Sequence, residues 1–242
     1  MDIIWLFVML FGLLVFGVPV AVSLAGASAV FIFANGSPPT MVVAHRMING
    51  VDSFPLLAVP FFILAGNLMN TAGITERIFN FALAMVGWMR GGLGHVNVGA
   101  SVIFAGMSGA AVADAGGLGA IEIKAMRDAG YDPKFAVGIT AASSTIGPII
   151  PPSLPMVIYG VVAGTSIGQL FVAGFIPGLL MAVALMIMIA IMARTRGFGR
   201  DQAFYWPVLF STFRRAFLSL LTPVIIVGGI LSGAFTPTEA AV

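Results

Sequence analysis

Residues 143–155 read S-S-T-I-G-P-I-I-P-P-S-L-P, set between the apolar runs 135–142 and 156–162. Pro148, Pro151 and Pro152 have no N–H, so the carbonyls of Ser144, Gly147 and Pro148 lose the donors that a continuous helix would give them. A segment long enough to span a bilayer, residues 135–166, is therefore broken in its middle. Irregular backbone at that depth is tolerated only where protein or a water-filled cavity surrounds it. Freed carbonyls beside the hydroxyls of Ser143, Ser144 and Thr145 would form an oxygen-rich pocket suited to a small hard cation. Ser153 is placed to cap the second half-helix, whose partial positive charge favours an anion. The plainer reading is a proline kink with hydroxyls bonded back to the helix. Four prolines in eight residues, directly behind Ser-Ser-Thr, speak against it.

That these runs lie in a membrane follows from the composition. Of 242 residues, 60% are hydrophobic and 8% charged, and the mean hydropathy is +1.09. A soluble domain carries about 25% charged residues; with so few, this chain could not cover a globule in water. The uncharged runs Ile3–Val43 and Val137–Ala193 leave room for several crossings of about 20 residues each. The absence of cysteine excludes disulfides, thiolate metal sites and cysteine nucleophiles. Two histidines, His45 and His95, argue against a histidine-rich metal site. The net charge is +2, but no Lys/Arg tract offers itself to nucleic acid. Thirty glycines and fourteen prolines imply broken helices.

A second break lies upstream, in G-M-S-G-A-A-V-A-D-A-G-G-L-G, residues 106–119. The apolar pieces Val96–Met107 and Ala110–Ile123 are each about half a bilayer long at ~1.5 Å per residue. Joined by Ser108-Gly109, they predict a re-entrant hairpin. Ser108 is placed to N-cap the second piece, and Gly109 permits the tight turn. Asp114 is the only acid between Glu76 and Glu122. An ionisable group at this depth is costly and reads as functional by default, holding the tip or adding negative potential for a cation. An interfacial aspartate within reach of water is the alternative. Gly116, Gly117, Gly119 and Ala120 read as close packing.

The rest of the chain supplies flanking spans. Residues 3–34 predict two short spans meeting at Gly17-Val18-Pro19. Residues 35–52 predict a loop with a short surface helix, and Phe54–Met69 a span kinked at Pro60. Residues 75–90 and 204–215 predict interfacial helices, Leu170–Ala193 an unbroken span, and Phe217–Phe235 the start of another. If the hairpin enters from the side of Arg90 and Lys124, nine of the eleven basic residues face the cytoplasm. The predicted fold is an all-α polytopic membrane protein. It divides into spans and an interfacial helix (1–90), the hairpin, broken segment and unbroken span (91–200), and a second interfacial helix with the start of a further span (201–242). The closing T-P-T-E-A-A-V runs into apolar residues without a C-cap and reads as an element cut short. Two facing helix breaks are how secondary transporters build substrate and ion sites.

G-M-S-G-A-A-V-A-D-A-G-G-L-G-A-I-E-I-K-A-M, A-S-S-T-I-G-P-I-I-P-P-S and G-A-F-T-P-T-E-A-A-V, in this order, resemble the large membrane subunit of tripartite ATP-independent periplasmic (TRAP) transporters. The resemblance covers essentially the whole chain. It implies an elevator-type carrier of two inverted halves, of which this sequence would be the first, with scaffold spans and an arm helix in 1–90, half of the transport domain in 91–200, and a second arm with the start of the second repeat in 201–242. It also implies a sodium-coupled import of a small organic anion, such as a C4-dicarboxylate or sialic acid, across the bacterial inner membrane. The implied partners are a small four-span membrane subunit and a periplasmic solute-binding protein. No cofactor is implied beyond sodium as coupling ion. Ser108, Gly109, Ala110 and Asp114 would belong to the hairpin tip. Ser143, Ser144, Thr145, Gly147, Pro148 and Ser153 would belong to the facing break, with sodium near Ser108, Gly109, Ser144, Thr145 and Gly147. The family usually has SGSAVAD; here the third residue is Ala110, which removes a side-chain ligand and leaves the backbone.

Three other readings compete. A related elevator symporter that needs no binding protein is the nearest. An intramembrane serine protease would use Ser108, since Gly106-Met107-Ser108-Gly109 matches G-x-S-G; both histidines precede it, and Lys124 sits at the far end of its half-helix. A channel or scaffold subunit is the third, and the small-residue faces at Gly160, Gly164 and Gly168 do not discriminate it.

Overall fold

The structure is a computed structural model and describes residues 3–36, 41–52 and 54–241. It is all-helical among those residues, with one isolated backbone bridge between Arg90 and Arg200. Two compact units are distinct, Met1–Ser53 and Phe54–Val242.

In the first unit, α1 (Ile3–Val15) and α2 (Val20–Asn35) are separated at residues 16–19, where the Gly-Val-Pro break was expected. The Ser23 hydroxyl donates to the Val18 carbonyl across that break (3.2 Å). A short helix is found where one was expected, α3 (Met41–Val51). The residues of the preceding loop at 37–40 lie outside the described ones.

The second unit begins with a 3-10 turn, Phe54–Leu57, which leads into α4 (Ala58–Thr71). Pro60, where a kink was expected, is the third residue of α4 and follows directly on the 3-10 turn. Next, α5 (Ile74–Val86) buries Thr75, Ile78, Phe79, Ala82 and Ala84 and packs against α6 (Gly92–Ser108). At Gly109 the chain reverses with φ +61° and its N–H on the Ala105 carbonyl. It returns through α7 (Ala111–Ala113), a π-helical turn (Asp114–Leu118) and α8 (Gly119–Asp128). The predicted helical hairpin is therefore present. The break is present too: α9 (Pro133–Ser144) and α10 (Leu154–Ala163) flank a run of turns through residues 145–153.

Two long helices complete the unit. α11 (Ile167–Thr195) and α12 (Trp206–Leu231) have 29 and 26 residues, about 43 and 39 Å at the helical rise. Both are long and apolar enough to cross a membrane. The separate interfacial helix and span expected over 204–235 are in fact the single helix α12. Arg214 and Arg215 favour water but do not break a helix, and only Pro223 interrupts the pattern. The closing α13 (Pro237–Ala241) starts with a capping box: Glu239 accepts from the N–H and hydroxyl of Thr236, and the Glu239 N–H donates to the Thr236 hydroxyl.

On α11, Val172, Ile176, Leu180, Val183, Ile187 and Ile191 are all exposed. A soluble monomer does not present so continuous an apolar face, and lipid is the solvent that suits it. This is a polytopic membrane protein. Its main core joins α5, α6, α8, α9 and α11 around Ile78, Phe104, Met107, Leu118, Met126 and Ile189.

Candidate ion and substrate site

The hairpin tip and the helix break meet. The Gly109 carbonyl accepts from Leu154 N–H (3.2 Å), tying the tip to the first residue of α10. A Cβ on Gly109 would fall inside contact distance of the Pro152 carbonyl oxygen, and one on Gly147 would lie 3.4 Å from the Ala110 carbonyl carbon. Glycine is required at Gly109, where the turn is left-handed and backbone meets backbone; at Gly147 the approach is tight. Ser153 caps α10 as expected, its hydroxyl accepting from Met156 N–H (3.2 Å) while donating to the Pro148 carbonyl. Pro148 is thus less free than the sequence implied. Ser144 is likewise engaged, since its carbonyl accepts from Gly147 N–H (3.1 Å). The backbone replaces lost helical donors with local turns.

Ser108 departs from the expected capping role. It does not cap the second arm; it is the last residue of α6, and Ala110 takes the N-cap position with no side-chain bond. The turn is closed by Gly109 in the left-handed conformation, so a serine one residue earlier cannot reach the next helix start. The Ser108 hydroxyl is buried and has no hydrogen-bond partner. It lines a cavity of about 580 Å³ between α4 and the hairpin, with Asn67, Asn70, Ala110 and Gly117.

Behind the tip is a buried polar network that sequence reading missed. The Asn97 amide donates to Glu122 Oε2 (2.6 Å) and to the Thr140 hydroxyl (2.8 Å). Asn97 Oδ1 accepts from the Ser143 hydroxyl (2.6 Å), which in turn accepts from Ser101 (3.2 Å). One asparagine on α6 therefore binds α8 and α9 together. The Ser144 hydroxyl is bonded back to the Thr140 carbonyl (2.6 Å). Asp114, 1% exposed on the π-turn, lies beside Ser101 and Ser144. Their protons go to Ser143 and Thr140 instead, and both Asp114 oxygens are left without a partner. Glu122 Oε1 is also unpartnered. Two buried carboxyl groups and an oxygen-lined tip, with no basic group paired to them among the described residues, gather acceptor oxygens in one region.

The ten residues expected at the site thus fall into groups. Gly109, Ala110, Gly147, Pro148 and Ser153 come together at the contact between tip and break. Ser143, Ser144 and Asp114 line the network behind it, and Ser108 faces the cavity toward α4. Thr145 is exposed and donates back to the Ala142 carbonyl (2.6 Å). The available signal for Asn97, Ser101, Glu122 and Thr140 was polar residues at helical spacing in apolar runs, Asn97/Ser101 and Thr140/Ser143/Ser144. The serine-protease geometry is not present at Ser108: His95 lies about four turns back on the same helix, and neither of its nitrogens is bonded.

Residues 7–242 match the family model of the DctM component of the tripartite ATP-independent periplasmic transporters. The chain belongs to that family. It is 57% identical over 230 residues to the sialic acid TRAP transporter large permease protein of Vibrio cholerae, covering 95% of this chain and 54% of that one. It is 52% identical over 240 residues to the sialic acid TRAP transporter permease protein of Haemophilus influenzae, covering 99% and 38%. With the C4-dicarboxylate TRAP transporter large permease protein of Vibrio cholerae it shares 40% over 242 residues, covering 100% and 53%. The TRAP-family chain thus spans about half the length of the large permeases it matches.

Proposed function

We propose that this chain forms part of a sodium-coupled TRAP importer of a small carboxylate in the bacterial inner membrane. It would work with a small four-span membrane subunit and a periplasmic binding protein. The observation that carries the reading is the contact between hairpin tip and helix break, at Gly109–Leu154 and Gly147–Ala110. It brings an orphaned buried hydroxyl, backbone carbonyls and the capped start of α10 into one region. That donor set fits a hard cation on the carbonyl and hydroxyl side, and an anion at the helix start. Asp114, buried among these acceptors, would add negative potential when a cation is close by.

In this reading residues 96–123 are a re-entrant hairpin, and residues 91–200 form half of a mobile domain that carries sodium and substrate across the bilayer. Residues 1–90 and the helix following residue 200 belong to the scaffold. Both substrate classes named for the relatives carry a carboxylate. The higher identity to the sialic acid permeases favours a sialic acid over a C4-dicarboxylate.

The test is uptake of labelled sialic acid into proteoliposomes holding the full-length protein, its small subunit and the binding protein. Uptake is expected only under an inward sodium gradient. Unchanged uptake with choline in place of sodium, at constant membrane potential, rejects the coupling. Asp114→Ala and Ser144→Ala are each expected to raise the sodium concentration for half-maximal uptake, and an unchanged sodium dependence in both removes this site assignment.

A further inference from the structure

At the opposite end of α6 from the hairpin tip, a cavity of about 320 Å³ is lined by Trp88, Arg90, His95, Arg194 and Arg200 among others. Three arginines, all exposed, line it from separate parts of the chain. Arg90 lies just before α6, Arg194 is in the last turn of α11, and Arg200 follows in the next loop. A backbone bridge between Arg90 and Arg200, reinforced by Gly91 N–H on the Gly199 carbonyl (2.9 Å), fixes the two arginines side by side. None of the three has an acidic partner among the described residues, where the one ion pair is Arg196–Asp132. Asp201, the acid next in sequence, forms no ion pair with them; its Oδ2 accepts from Leu93 N–H (2.9 Å) and from the Tyr131 hydroxyl (2.6 Å). Like charges held together without a counter-charge cost free energy unless an anion joins them.

His95 supplies the independent observation. It is 1% exposed, it lines this cavity, and both ring nitrogens lack a hydrogen-bond partner. A buried imidazole left unsatisfied on both nitrogens is costly. A group that offers both acceptor oxygens and a hydroxyl would satisfy it.

The surroundings give the depth. Trp88 is 42% exposed, donates its indole N–H to the Met85 carbonyl, and stacks edge-on with Phe204, which meets Trp206. Aromatic side chains clustered at helix ends beside arginines mark the headgroup level of a membrane, and the basic excess marks its cytoplasmic face. Basic pockets between helices on that face suit phosphate headgroups. We propose that this cavity binds a phosphate anion, carried by an anionic phospholipid of the inner leaflet. Arg90, Arg194 and Arg200 neutralise the phosphate and His95 bonds its oxygens or the headgroup hydroxyl.

The test uses the full-length protein, delipidated in detergent. Retained lipid is counted by native mass spectrometry after titration with phosphatidylglycerol or phosphatidylcholine, and the shift in melting temperature is read with inorganic phosphate against chloride. The wild type is expected to retain phosphatidylglycerol in preference to phosphatidylcholine. Each arginine removed should weaken that binding about fivefold, so Arg194→Gln/Arg200→Gln should lose about twenty-five-fold. Arg127→Gln, a basic residue outside the cavity, should bind as wild type. His95→Phe should weaken binding while leaving the melting temperature of the lipid-free protein no lower. Equal retention of the two lipids, or equal loss in Arg127→Gln and in the double variant, overturns the proposal. A double-variant-sensitive stabilisation by inorganic phosphate that phosphatidylglycerol does not exceed overturns the lipid as its source.

Discussion

Replacing Gly109 by alanine tests whether close backbone contact holds the hairpin tip to the helix break. Gly109 has φ +61°, and an added Cβ would strike the Pro152 carbonyl and lie 3.3 Å from Leu154 N. Three costs follow. The left-handed conformation costs an L-residue about 1–2 kcal/mol. Forcing apart two backbones in a packed region costs about 1–3 kcal/mol. Losing the bond from Leu154 N–H to the Gly109 carbonyl adds about 1 kcal/mol. Gly164 is a matched control, since its φ is +64° and nothing lies within 4 Å of its ideal Cβ. Gly164→Ala should show the first cost alone. The assay is thermal unfolding of the purified full-length protein in detergent, followed by circular dichroism, with the proposed uptake measured in parallel. Gly109→Ala is expected to lower the melting temperature at least twice as far as Gly164→Ala, and to abolish uptake. Equal losses in the two variants would refute the close-approach reasoning, because the shared conformational penalty would then account for everything.

Three further outcomes are expected. Asn97→Leu should destabilise by about 1–3 kcal/mol for each buried group left without its partner, whereas Glu122→Gln keeps an acceptor for the Asn97 amide and should cost less; denaturant titration of both orders them. Ser153→Ala should cost about 1 kcal/mol through loss of the α10 cap, read as a lower melting temperature. Burial, with the Asp201 carboxylate against it, holds the Tyr131 phenol well above the usual tyrosine range. Its stabilising contribution is therefore full below about pH 10 and is lost as pH rises past that value toward the higher folded-state one. Tyr131→Phe should flatten that alkaline decline in a melting series from pH 8 to 11, and an unchanged slope counts against the phenol.

Prolines and glycines made both helix breaks legible in the sequence, because they act locally: a missing N–H or a left-handed turn needs no tertiary partner. Ser153 was readable for the same reason. Ser108 was not, since whether a serine ends one helix or begins the next depends on which residue takes the left-handed turn. The boundary within 204–235 was hidden because Arg214 and Arg215 in an aromatic setting look interfacial whether or not the helix continues through them. The network around Asn97 was hidden most deeply. Asn97, Glu122 and Thr140 are far apart in sequence, and only the rotational setting of three helices decides that they share one buried point.

Beside the apolar core that α6 shares with α5 and α11, two of its other contacts differ in kind. Toward α8 and α9, Asn97 and Ser101 make specific hydrogen bonds that a sliding motion would break one by one. Toward α4 and α12 the contacts are different. Gly66 packs on Ser108, with an ideal Cβ only 3.7 Å from the serine Cβ, and Gly106 packs on the ring of Pro223. No side-chain hydrogen bond joins α6 to α4 or α12 among the described residues. Hydrogen bonds across a helix contact fix register, whereas small residues let backbones approach without interlocking. On the proposed elevator mechanism, the hairpin and broken helix must travel as one body past a stationary partner. The polar side is suited to hold that body together, and the glycine side is suited to be the seam along which it moves. A disulfide placed across the polar side, between α6 and α9, should leave uptake intact. One placed across the glycine side, between α6 and α12, should stop it, and uptake that survives the second cross-link would mean that α6 and α12 move together.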